Sequence, residues 1–104
     1  MGKYLFAYKG GAMASTEEEQ QAAMAAWGAW FGELGAAIVD PGNPFGPSAT
    51  VNGGAPANGG ASSLTGYTVI NASSLDEATE LAQGSPVLAH GGSVEVYETI
   101  EISM

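Results

Sequence analysis

The residues best suited to acid–base chemistry in this 104-residue chain are Asp40 and His90. An imidazole oriented by a carboxylate can move a proton to or from a bound phenol or enol near neutral pH. His90 is the only imidazole in the sequence, and Asp40 follows a short apolar run at 36–39. Behind Asp40 comes the loop 41–47, Pro-Gly-Asn-Pro-Phe-Gly-Pro, with three prolines and two glycines. Proline fixes φ, and glycine lets a backbone approach closely. Such a loop holds the carboxylate, Asn43 and the ring of Phe45 in place at little entropic cost. The alternative is structural: Asp40 caps its own Pro-Gly turn and His90 is a solvated loop residue.

A ligand for such a pair needs an apolar bed with a few polar anchors. Tyr4, Phe6, Tyr8, Trp27 and Trp30 can supply the rings. Tyr8, Asn43 and Phe45 are the expected ligand-binding residues, with Lys9 placed to meet an anionic substituent. The competing reading makes the helix aromatics core and the strand aromatics a dimer interface. No metal or cofactor is expected. One His and no Cys cannot build a usual transition-metal shell, and neither Gly53-Gly54 nor Gly59-Gly60 carries the Lys-Ser/Thr of a phosphate loop.

The elements that must position these groups follow from pattern. Residues 3–8 read as a strand with both faces apolar, Tyr4, Phe6 and Tyr8 on one and Leu5 and Ala7 on the other, as in an interior strand covered on each side. A helix starts near Ser15 or Thr16, where Thr16 and Glu19 make a capping box and Glu17, Glu18 and Glu19 oppose the dipole. Ala23, Met24, Trp27, Trp30, Phe31 and Leu34 form its apolar stripe, and Gly35 stops it. A strand at 36–39 leads to Asp40. Residues 48–52 are a short extended segment, and 53–63 a glycine-rich turn or lid. A strand at 66–72 precedes a second helix that opens with the Ser74 and Glu77 capping box, buries Leu75, Ala78, Leu81 and Ala82, and runs to Gln83. Residues 93–103 form the last strand, with Val94, Val96, Ile100 and Ile102 on one face.

This β-α-β, β-α-β order is the split βαβ, ferredoxin-like pattern, an α+β fold over a single domain, 1–104. Two helices cover one sheet face, and Tyr4, Phe6 and Tyr8 would lie bare on the other unless a second copy covers them. A symmetric homodimer is therefore expected, and Phe6→Glu is expected to separate it.

Composition narrows the partners. The chain is 45% hydrophobic, too apolar for disorder. Only 12% of residues are charged, about half the usual share, as when surface is hidden in an oligomer. Eleven acidic residues against Lys3 and Lys9 give a net charge of −9, which excludes nucleic acid and anionic membranes as natural partners. Without an apolar leader at the N-terminus, a cytoplasmic location is expected.

The segments Lys3-Tyr4-Leu5, Trp27-Gly-Ala-Trp-Phe-Gly-Glu-Leu34, Asp40-Pro-Gly-Asn-Pro-Phe-Gly-Pro47, Gly66-Tyr-Thr-Val-Ile70 and Gly91-Gly-Ser-Val-Glu-Val-Tyr97 together resemble the YCII-related (DGPF-containing) proteins, over nearly the whole chain and in order. The resemblance implies a dimeric α+β barrel of ferredoxin-like protomers. It also implies a small aromatic or enolic ligand and, from a few relatives, dehydrochlorination of hydroxylated aromatics by a His–Asp pair. Asp40 stands where that Asp is expected. The His of those relatives lies early in the first helix, where this chain has Gln20 and Gln21, so His90 would have to take its place. Two functions stay open: a lyase-type small-molecule dimer, or a non-catalytic dimerisation or accessory module.

Overall fold

Thr16 caps the first helix in the computed structural model. Its Oγ1 accepts the Glu19 N–H at 3.1 Å, and α1 runs over Glu17–Leu34. The structure describes residues 2–11, 16–60 and 62–102, so the alternative cap Ser15 and the expected strand end at Ser103 lie outside the described residues. Gly35, at φ +53, ends the helix and opens a 3-10 turn over Gly35–Ala37. That turn takes the place of the strand's expected first residues. The second N-cap holds as well: Ser74 Oγ accepts the Glu77 N–H at 3.1 Å at the start of α2, Leu75–Ala82, while the Glu77 carboxylate accepts from the Ser73 hydroxyl.

The strands are β1 (Gly2–Lys9), β2 (Ile38–Asp40), β3 (Ala49–Thr50), β4 (Ala57–Asn58), β5 (Leu64–Ala72) and β6 (Ser93–Glu98). Four of them form an antiparallel sheet in the order β2-β5-β1-β6. β5 separates β1 from β2, and β1 separates β5 from β6, so each helix crosses over one intervening strand. This α+β arrangement is compatible with the ferredoxin-like fold. β3 and β4 pair as a minimal hairpin in the glycine-rich segment. It is pinned by hydroxyls: Thr50 Oγ1 donates to Gly59 O at 2.7 Å, and Ser48 Oγ accepts the Gly60 N–H at 2.8 Å.

The core corrects the expected assignment of sheet faces. Tyr4, Phe6 and Tyr8 are buried under the helices with Trp30, Leu34, Ile70, Ala78 and Ala82. Phe6 stacks on Trp30 at 6.0 Å, and Tyr8 meets Trp27 edge-on at 5.0 Å. The large rings of β1 and α1 fill one space together, because six-membered and indole rings bury the most apolar area per side chain. The strand aromatics therefore form no interface, and Phe6→Glu would attack the protomer's own core. The open face carries instead Leu5, paired with Val69 and Tyr97, and Ala7, paired with Tyr67 and Glu95.

Three further expectations fail. Met24 is 75% exposed, lying about 80° round α1 from the middle of the buried stripe. Leu75 opens α2 and stays 47% exposed, leaving Ala78 and Ala82 to seat that helix closely on the sheet. β6 ends at Glu98, and Ile100 and Ile102 are 81% and 76% exposed beyond it.

Candidate functional site

The loop after β2 is built by close approach. Gly42 has φ +74, and a Cβ there would lie 1.7 Å from Tyr67 O on β5, so no other residue fits. Asp40 Oδ1 accepts the Gly42 N–H at 2.9 Å, making a local Asx turn. The chain then continues along the edge of β5: Pro44 bridges to Gly66, and the Phe45 N–H donates to Thr65 O at 2.9 Å. The ring of Phe45 stacks on Tyr67 at 5.8 Å. Gly66 is needed for the same fit, since a Cβ on it would come within 3.2 Å of Asn43 O.

Between this loop, the face of α1 from Glu19 to Phe31, the start of β5 and the 3-10 turn Pro86–His90 lies a half-open cavity of about 850 Å³. Its walls include Tyr8, Trp27, Phe31 and Phe45 as rings, and Glu19, Asn43, Thr65, Thr68 and His90 as polar groups. Of the residues expected from sequence, Tyr8, Asn43, Phe45 and His90 meet here. Lys9, exposed at the end of β1, does not line the cavity, and neither does Asp40. The hydrogen bonds of Asp40 go to the Gly42 N–H and, at 3.3 Å, the Tyr67 hydroxyl. No bond between Asp40 and His90 joins them among the described residues.

The hydroxyls on the wall are wired in one direction. Thr68, wholly buried on β5, donates from Oγ1 to Pro41 O at 2.9 Å. A carbonyl only accepts, so the single Thr68 proton is committed and Tyr8 must donate to Thr68 Oγ1, at 2.6 Å. Thr65 Oγ1 likewise donates to the carbonyls of Tyr8 and Gly10, at 3.2 and 3.4 Å. Burial pushes the Tyr8 phenol up to about 12. Tyr8 thus stands in the cavity as a neutral phenol whose oxygen is left to accept.

Thr65, Thr68 and Glu19 are site residues that sequence reasoning missed. Thr68 had a readable signal: it shares the buried phase of β5 with Gly66, Ile70 and Ala72, where a hydroxyl must find a partner. Among the described residues no group of three His, Cys, Asp or Glu could hold a metal ion. No helix among them is long and apolar enough to cross a membrane.

No curated protein and no solved structure shows significant similarity to this chain. The family model of the YCII-related domain matches residues 3–103. With nearly its whole length matched, the chain belongs to the YCII-related family.

Proposed function

We propose that this protein binds a small aromatic or enolic molecule in the cavity between α1 and the sheet, and works as a homodimer. The observation that carries the reading is the cavity itself. A volume of about 850 Å³ walled by Tyr8, Trp27, Phe31 and Phe45 suits a ring, and few polar groups converge there to orient it. His90 and Glu19 are the wall's imidazole and carboxylate, and any acid–base step on the ligand, lyase or dehydrochlorinase in type, is assigned to His90. Asp40 serves that step indirectly, by holding the loop that brings Asn43 and Phe45 to the cavity. The test follows the two indole N–H signals by NMR during titration with small phenols and enols. The Trp27 signal shifts and saturates, while that of Trp30, bonded to Leu81 O at 3.2 Å, stays still. Saturable shifts at neither indole would end this reading.

The dimer is supported by the open sheet face, where Leu5 and Val69 meet Tyr97, which is 52% exposed. Sheet-to-sheet pairing there would give the dimeric α+β barrel that the family resemblance implies. Leu5→Lys places a charge at its centre and should yield a folded monomer by light scattering. A dimer of unchanged mass would exclude this face.

A further inference from the structure

We propose that the ligand of this cavity carries a cationic ammonium group beside its ring. The inference rests on the small-molecule reading above and narrows it by charge and by hydrogen-bond sense.

Three observations point the same way. The first is the wall's polarity. The protons of Tyr8, Thr65 and Thr68 are all spent on the protein, on Thr68 Oγ1, on the Tyr8 and Gly10 carbonyls, and on Pro41 O. What the Tyr8 and Thr65 hydroxyls offer a ligand is lone pairs, which an N–H⁺ donor fits and a carboxylate does not, and this leaves Asn43 and His90 as the wall's side-chain donors. The second is charge. Glu19 lines the cavity, and neither lysine of the chain does. The first turn of α1 also brings the positive end of its dipole to this rim, equivalent to about half a charge. Glu17, Glu18 and Glu19 in that turn outweigh it. The third is the ring faces: Trp27, Tyr8 and Phe31 pack around one another at 5.0 and 5.8 Å and present π-surface to the same space. Such surfaces attract a desolvated cation. Within a protein of net charge −9, an organic anion finds no lysine or arginine here to neutralise it.

The experiment uses three ligands of matched size, benzylamine, benzyl alcohol and benzoate, titrated at pH 7.5 against the Trp27 indole signal. The ammonium should bind about tenfold or more tightly than the alcohol, and benzoate more weakly than either. Glu19→Gln keeps the capping box, which accepts Gln at that position, and removes the charge. It should erase most of the ammonium's advantage over benzyl alcohol. Equal binding of amine and alcohol, or an amine advantage untouched in Glu19→Gln, overturns the cationic ligand but leaves the ring-binding cavity standing. Benzoate binding most tightly overturns it too. Saturation by none of the three overturns both.

Discussion

Gly42→Ala tests the construction of the site most directly. Two costs can be worked from the geometry. An alanine held at φ +74 carries left-handed strain of about 1–2 kcal/mol. Its Cβ would also stand 1.7 Å from Tyr67 O, a backbone atom of a paired strand, so the loop and not the sheet must move. Lifting the loop withdraws Pro41 O from the wholly buried Thr68 hydroxyl, at about 1–3 kcal/mol for an acceptor lost in the interior. The sum is about 2–5 kcal/mol. A domain of this size is stable by roughly 5–15 kcal/mol, and no residue of 41–45 belongs to the buried cluster. Gly42→Ala should therefore fold, melt at least about 10 °C lower, and bind no ring ligand, because its cavity wall has moved. Gly46→Ala is the control: its Cβ meets nothing within 4 Å, and its effect should stay within about 0.5 kcal/mol. A Gly42→Ala protein melting within a few degrees of the native one would refute the close approach and with it the account of the wall.

Trp30→Ala removes the ring that stacks on Phe6 and bonds Leu81 O, and should lower stability by about 3–5 kcal/mol in urea unfolding, against less than about 0.5 for Met24→Ala. A comparable loss in both would mean that the inner face of α1 is misassigned. Tyr8 predicts an alkaline limb. Its folded value of about 12 exceeds the unfolded 10.0, so the unfolded chain gives up the proton first and the contribution, present below about pH 10, is lost as pH rises toward 12. The full difference is worth about 2.7 kcal/mol, which screening by solvent lowers to about 2, and Tyr8→Phe should flatten that part of the stability curve relative to the native protein. Parallel curves for the two would place the phenol in water.

Local signals carried the elements well. Both N-caps, Thr16 and Ser74, and the glycine stop after α1 are short-range chemistry, settled within four residues, and they stand where the spacing puts them. The errors come where two long-range answers share one local pattern. Both faces of β1 are apolar, so alternation could not say which face meets the helices; the bulk of Trp27, Trp30 and Phe31 decides it in favour of the strand's own rings. The end of β6 was readable, because Glu98 falls in the inward phase of Val94 and Val96, and a carboxylate there marks the limit of the core. Asp40 and His90 illustrate the opposite limit. Nothing in either neighbourhood tells whether two loop residues turn to the same side of a sheet.

The donor–acceptor sense of the cavity was hidden for a further reason, one that links folding to function. Asp40 shapes the turn that brings Pro41 O to Thr68, and Pro41 O takes the Thr68 proton. Thr68 then fixes the Tyr8 hydroxyl as a donor toward the protein, while Thr65 spends its proton on the turn after β1. Each bond stitches a loop to the sheet, and each removes a donor from the cavity. The selectivity for a donor-bearing ligand is therefore a consequence of how the loops are attached, independent of any residue that looks catalytic. It follows that Thr68→Val, which keeps the shape and frees Tyr8 to donate outward, should weaken the preference for benzylamine over benzoate without closing the cavity. A preference unchanged in Thr68→Val would leave the charge at Glu19 and the ring faces as its source.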